Sequence, residues 1–118
     1  MKKLTNAELQ FRLKTLNGWS IAGDNLEKEF DFNFIYLEKS CAEFLVSKKI
    51  KAVGIDSLGI ERNQPNHPTH NILAEKNIPI FEGLDLSKIK QGNYFFHGLP
   101  LKIKNGDASP VRAVLVKD

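Results

Sequence analysis

The sequence predicts an α+β fold with a mixed, largely antiparallel sheet and two to three helices. Segments with the apolar spacing of helices and short segments typical of strands follow one another without the regular alternation of a parallel α/β protein. The chain has 118 residues, 42% of them hydrophobic, which is enough for one domain with its own core and too few for two. We therefore expect a single domain over residues 1–118.

The first part of the chain predicts a helix followed by a hairpin. Thr5 and Glu8 have the spacing of a capping box, which predicts a helix at about 5–16. Strands are expected at 19–22 and 26–32, on either side of a Gly-Asp-Asn turn, and the second of them alternates in polarity. The apolar residues that share one face of the helix are Leu9, Leu13 and Leu16.

The rest of the chain predicts two more helices and several strands. Apolar residues recur at helical spacing over about 34–49, a polar loop with two prolines occupies 59–68, and a short helix is expected at about 69–76. A turn at Asn105-Gly106 should join the last two strands. The expected strands are residues 52–55, 79–82, 94–97, 99–104 and 111–116.

Composition excludes several classes of function. A net charge of +3, from 17 basic and 14 acidic residues, is too small and dispersed to indicate nucleic-acid binding. The one cysteine excludes an internal disulfide and a multi-cysteine metal cluster. No stretch approaches the about 18 apolar residues of a membrane span, and the first residues lack the apolar run of a secretory signal. We expect a cytoplasmic protein without nucleic-acid or membrane partners.

Two histidines and a glutamate are the candidates for a metal site. His67 and His70 lie three residues apart where the loop enters the predicted helix, and Glu82 ends a predicted strand. Imidazole nitrogen and carboxylate oxygen are common ligands of zinc and manganese, but this spacing alone is a weak signal and favours capping, surface or packing roles. Neither a nucleophile elbow nor a glycine-rich nucleotide motif occurs, so catalytic residues stay unassigned and no organic cofactor is expected.

Residues 42–57 (AEFLVSKKIKAVGIDS) resemble the middle of the metal-dependent cyclase family that includes kynurenine formamidase (arylformamidase). The resemblance covers about residues 37–118 in family order. It implies part of a swivelling β/β/α scaffold, and a hydrolase in which a divalent metal, zinc or manganese, activates water against an amide or formamide carbonyl. His70 and Glu82 match metal-site residues of that family. The other matching blocks are 70–73 (HNIL), 78–84 (IPIFEGL), 92–96 (GNYFF), 99–104 (LPLKIK) and 106–113 (GDASPVRA).

One family motif is absent from the sequence. The other ligands of the family come from a His-x-Gly-Thr-His-x-Asp-x-Pro motif, which occurs nowhere in these 118 residues. A catalytic zinc site normally has three protein ligands, whereas the resemblance supplies two; His67 and His97 are further donors outside the family pattern. We expect a truncated, metal-dependent amide hydrolase whose activity is open. The alternative is a non-catalytic module that oligomerises or binds a partner. A homo-oligomer is expected, because loss of more than half of a larger parent's core would expose sheet edges and apolar surface that self-association commonly covers.

Residues 1–36 resemble the opening helix and hairpin of pterin-4a-carbinolamine dehydratases. The resemblance rests on 4–9 (LTNAEL), 16–21 (LNGWSI) and 26–32 (LEKEFDF). It implies a composite chain, joined within the helix predicted at 34–49. A lyase acting on a pterin carbinolamine near His67 and Trp19 is therefore a third functional hypothesis.

Overall fold

The computed structural model describes residues 34–117, which form two helices and four strands. This arrangement confirms the α+β fold class. The helix predicted at 5–16 and the hairpin predicted at 19–32 lie outside the described residues. The elements are α1 (Lys39–Ser47), β1 (Val53–Gly54), α2 (Pro68–Glu75), β2 (Ile80–Phe81), β3 (Phe95–Pro100) and β4 (Val111–Val116).

The strands of this region form two separate ladders. β1 and β2 are parallel, with Val53 opposite Ile80 and Gly54 opposite Phe81. A parallel pair needs a crossover connection, and here the crossover contains the polar loop and α2. β3 and β4 form an antiparallel ribbon. Neither helix between residues 34 and 117 is both long enough and apolar enough to cross a membrane.

The strands predicted at 94–97 and 99–104 are in fact one strand, β3. Gly98 does not interrupt the ladder, because it pairs with Ala113 in continuous register. β3 ends at Pro100, whose nitrogen carries no hydrogen for a ladder bond, and one further backbone bond joins Leu101 N to Pro110 O at 3.2 Å. Residues 101–104 therefore continue outside any strand.

Helix α1 begins at Lys39, five residues later than predicted. The preceding backbone is held by tertiary hydrogen bonds instead of helical ones. Leu37 N donates to Ile60 O at 2.8 Å, and the Ser57 hydroxyl donates to Ile35 O at 2.6 Å. The spacing of apolar residues does not reveal such bonds, so the helix predicted from it began too early in the chain.

The core lies among α1, α2 and the β1–β2 ladder. Its position matters for the site, because the loop before α2 is anchored there through Ile60, which is completely buried. The next residue in this loop is Glu61, which is 8% exposed. The buried apolar residues are Leu37, Ala42, Leu45, Val53, Ile55, Ile60, Leu73 and Ile78.

The β3–β4 ribbon contacts β2 through Phe81. The Phe81 ring lies so close to Gly98 that a Cβ added there would come within 2.7 Å of it. Phe81 also makes an edge-to-face contact with Phe96, with ring centroids 4.8 Å apart. Beside these residues is an open groove of about 670 Å³ whose lining includes Leu84 and Tyr94.

Asp56 is a buried carboxyl group just after β1. It is 1% exposed; Oδ2 accepts a hydrogen bond from Leu86 N at 3.2 Å, and Oδ1 has no hydrogen-bond partner among the described residues. Burial raises the pKa of Asp56 to about 6, against the effect of the Leu86 bond and with a smaller contribution from the charge of Asp85. The folded protein thus holds this proton more tightly than the unfolded chain does.

Replacing Asp56 with Asn is expected to remove a pH-dependent loss of stability. Since the folded pKa lies above the unfolded one, ionisation of Asp56 destabilises the fold as pH rises through about 4 to 6. The free energy of unfolding of Asp56→Asn, relative to the parent chain, should increase by about 2 kcal/mol between about pH 4.5 and pH 7. Urea unfolding at both pH values measures this, with Asp107→Asn as a control at an exposed turn. Equal changes in both variants would contradict the prediction.

Candidate metal centre

His70 is placed by a tight turn into α2. His67 has a left-handed backbone, with φ 48°, and Pro68 then begins the helix, a position where its missing N–H costs nothing. His70 follows in the first turn of α2. The His67 and His70 rings lie 6.0 Å apart, between centroids, at an angle of 84°. The loop and the first helical turn therefore bring both imidazoles into one neighbourhood.

Glu61 caps the start of α2 from the loop. Its Oε1 accepts a hydrogen bond from Thr69 N at 3.3 Å, and its Oε2 accepts one from His70 N at 3.1 Å. These amides belong to the first turn of the helix, where backbone N–H groups have no acceptor within the helix. The N-cap residue, His67, makes no side-chain capping bond to them. The Gln64 side-chain amide also donates to Oε1, at 3.0 Å. Glu61 thus serves as the N-terminal cap that the adjoining sequence lacks.

The Glu61 carboxylate also contacts the His70 ring. The distance from His70 Nδ1 to Glu61 Oε2 is 2.6 Å, and the Glu61 side chain is 1% exposed. Burial acts to raise the pKa of Glu61, but the hydrogen bonds from the His70 ring, His70 N and Thr69 N together outweigh it. The pKa of Glu61 therefore lies below its ordinary value, and the group is an anion at neutral pH.

The structure places the two predicted ligands, His70 and Glu82, on the same side of the molecule. His70 Nε2 lies 3.6 Å from Glu82 Oε1, and the two side chains are 42% and 34% exposed. Glu82 follows β2 directly, and its Oε1 accepts a hydrogen bond from Ile60 N at 2.6 Å. The backbone that anchors the loop therefore also fixes this carboxylate.

This pair has the chemistry and spacing of a metal half-site. Two ligands about 2.0–2.1 Å from a tetrahedral zinc ion lie about 3.3 Å apart, close to the separation of His70 Nε2 and Glu82 Oε1. One imidazole nitrogen with one carboxylate suits zinc or manganese, and the partial exposure of both groups lets an ion reach them. The two residues therefore fit a divalent cation.

Further donors lie beside this pair. Glu61, His67 and His70 each offer one ligand atom within 4.8 Å of the others, and His67 is exposed. His97, which the sequence also offered as a donor, is exposed in the middle of β3 opposite Val114 and is not a member of this group. His67 thus joins the neighbourhood of His70.

Glu61 is not among the site residues predicted from the sequence, where it lies in the polar loop at 59–68. A signal was present in the chain next to α2. The helix begins His67-Pro68, without a serine, threonine, aspartate or asparagine directly at its N-cap, so its first-turn amides need an acceptor from elsewhere. A glutamate nine residues before His70 is a candidate on that ground, although only the folded loop shows the contact.

The chain resembles proteins of known families in sequence. It is 37% identical over 93 residues to cyclase-like protein 3 of Oryza sativa subsp. japonica, across 77% of this chain and 34% of that protein. It is 33% identical over 84 residues to the kynurenine formamidase of Polaromonas naphthalenivorans (strain CJ2), across 70% of this chain and 38% of that protein. The chain thus spans about a third of the length of the curated relatives it matches. No family model matches the chain.

The chain is also similar to solved structures in its fold. A potential metal-dependent hydrolase with cyclase activity superposes with a TM-score of 0.71 and 45% sequence identity, over 75% of this chain and 44% of that one. A predicted metal-dependent hydrolase from Bacillus stearothermophilus gives a TM-score of 0.70 at 45% identity, over 75% of this chain and 43% of that one. These matches do not support the pterin dehydratase resemblance of residues 1–36, which stays a prediction. The homologues of this chain are cyclase-like proteins and kynurenine formamidases, and its structural neighbours are a potential and a predicted metal-dependent hydrolase.

Proposed function

We propose that this chain carries part of the metal site of a cyclase-like hydrolase acting on amides or formamides. The observation that supports this proposal is the 3.6 Å separation of His70 Nε2 and Glu82 Oε1, both open to solvent. A kynurenine formamidase among the relatives and metal-dependent hydrolases among the structural neighbours support the choice of reaction. Bound zinc or manganese supplies a Lewis acid that activates water and polarises a carbonyl.

The residues of the chain divide the work of holding the ion. His70 offers a neutral nitrogen and Glu82 a negative oxygen, which offsets part of the charge of a divalent cation. Glu82 is held in place by Ile60 N, and His70 by its position in the first turn of α2. These 118 residues contain no His-x-Gly-Thr-His-x-Asp-x-Pro motif. We therefore propose that the absence of this motif weakens hydrolysis of the substrate more than it weakens metal binding.

Replacing His70 with Ala is expected to remove most of the metal affinity of the purified chain. Losing the hydrogen-bond partner of a metal ligand lowers affinity by about 10–100-fold. The His70→Ala variant loses the ligand itself, so its affinity should fall by at least about 100-fold. Calorimetric titration with zinc and with manganese measures this, and hydrolysis of an aryl formamide is followed in parallel.

His97→Ala is the matched control, because His97 is an exposed imidazole on the ribbon. It should bind metal as the parent chain does. A parent chain that binds neither ion, or a His70→Ala variant that binds as tightly as the parent, would contradict the proposed function.

The surface of the ribbon favours a second candidate function, a module that self-associates. Phe95, Leu99 and Val116 are 61%, 62% and 46% exposed, and β3 and β4 pair only with each other within residues 34–117. Unpaired strand edges with apolar side chains favour pairing with another chain. Light scattering over a range of concentrations tests this candidate, and a monomer throughout would remove it.

A further inference from the structure

We propose that Glu61 is a positioning residue that keeps the hydrogen of the His70 ring on Nδ1 and so leaves Nε2 free to bind a cation. This inference rests on the proposed function, because it assumes that the ion lies between His70 and Glu82. Glu61 itself is then not a ligand of that ion.

The contact between the two side chains fixes which nitrogen carries the hydrogen. A carboxylate only accepts hydrogen bonds, so at 2.6 Å from Glu61 Oε2 the His70 Nδ1 must be the donor. In a neutral imidazole the other nitrogen then has an available lone pair. That nitrogen is Nε2, which lies 3.6 Å from Glu82 Oε1. The hydrogen bond on one side of the ring thus prepares the other side to act as a ligand.

Hydrogen bonds to both carboxylate oxygens hold Glu61 in place, so it does not turn to bind an ion. Oε1 accepts from the Gln64 side chain and Thr69 N, and Oε2 accepts from His70 N and the His70 ring. Its side chain is 1% exposed. Turning the carboxylate toward an ion would leave the buried Thr69 N without its hydrogen-bond partner, which destabilises the fold. This argues against an ion bound by Glu61, His67 and His70 together, although each of the three offers a ligand atom within 4.8 Å of the others.

The test reads the position of the hydrogen directly in the metal-free protein. Nitrogen-15 NMR of the histidine side chains, at alkaline pH where imidazole is neutral, is expected to show His70 protonated on Nδ1. Glu61→Ala should move the hydrogen largely to Nε2, and Glu61→Asp should restore part of the Nδ1 form. Gln64→Ala is the matched control, because Gln64 contacts the same carboxylate without touching the ring. It should leave the hydrogen on Nδ1.

A second measurement uses zinc, and its result for the parent chain does not depend on whether Glu61→Ala folds. In the zinc-bound parent chain, His70 should coordinate through Nε2 and keep its Nδ1 hydrogen. Zinc affinity should fall about 10–100-fold in Glu61→Ala, the usual cost of losing such a partner, and less in Gln64→Ala. A hydrogen on Nε2 in the metal-free parent chain, or zinc bound through Nδ1, would overturn the inference. A parent chain that keeps the Nδ1 hydrogen yet binds no zinc overturns the proposed function and leaves the orientation of the ring established.

Discussion

Replacing Glu82 with Gln is expected to abolish tight metal binding while the fold persists. The amide oxygen can still accept the hydrogen bond from Ile60 N that Glu82 Oε1 accepts at 2.6 Å. The variant loses the negative charge that makes a carboxylate a good ligand for a divalent cation. We expect zinc affinity to fall by at least about 100-fold, because losing a direct ligand should cost at least as much as losing a hydrogen-bond partner of one, which costs about 10–100-fold. Calorimetric titration measures the affinity, and denaturant unfolding checks the fold.

Glu82→Ala separates the two tasks of this side chain. It removes the metal ligand and also leaves Ile60 N without its partner, in a residue that is completely buried. The free energy of unfolding should therefore drop by about 1–3 kcal/mol in Glu82→Ala, beyond any change in Glu82→Gln. Zinc affinity in Glu82→Gln equal to that of the parent chain would rule Glu82 out as a ligand.

Replacing Leu73 with Ala is expected to give a large loss of stability. Leu73 is completely buried in the core, on the helix that carries His70. Deleting a buried leucine side chain removes apolar contacts and leaves a cavity, which costs about 2–5 kcal/mol. Because domains of this size are stable by only about 5–15 kcal/mol, much of the folded population should be lost under mild denaturation.

The control for this substitution lies on the ribbon. Leu99 is 62% exposed, so Leu99→Ala should change the free energy of unfolding by no more than about 0.5 kcal/mol. Urea denaturation followed by circular dichroism compares the two variants. Equal losses in Leu73→Ala and Leu99→Ala would mean that Leu73 is not part of the stabilising core.

Spacing in the sequence was sufficient for elements whose own residues decide their structure. The helix predicted at 69–76 is α2, one residue displaced, and the strand predicted at 111–116 is β4. The start of α1 was missed because hydrogen bonds from distant residues hold its preceding backbone. The break expected within β3 is absent because continuous pairing with β4 carries the strand through Gly98.

Part of the site could likewise be predicted from the sequence, and part of it depends on tertiary structure. Family resemblance indicated His70 and Glu82, but their distance depends on the parallel pairing of β1 with β2 and on the helix that crosses between them. Glu61 could not be identified from spacing. Its approach to α2 depends on the backbone of the intervening loop, where Asn63, Asn66 and His67 all have positive φ. Periodicity carries no information on such a path.

Phe81, the last residue of β2, and Glu82, the residue after it, face different surroundings, and this makes the site sensitive to strand slippage. Phe81 contacts the ribbon, whereas Glu82 contacts Ile60 N and the His70 side. The ladder that aligns Phe81 with β1 is only two residues long, and Glu82 follows directly after it. Successive side chains in a strand alternate in direction, so a slip by one position would exchange the places of these two side chains. The aromatic ring would then face the cation, and the carboxylate would face the apolar ribbon. A single-residue insertion or deletion between α2 and β2 should therefore be far more damaging than a substitution at the same place.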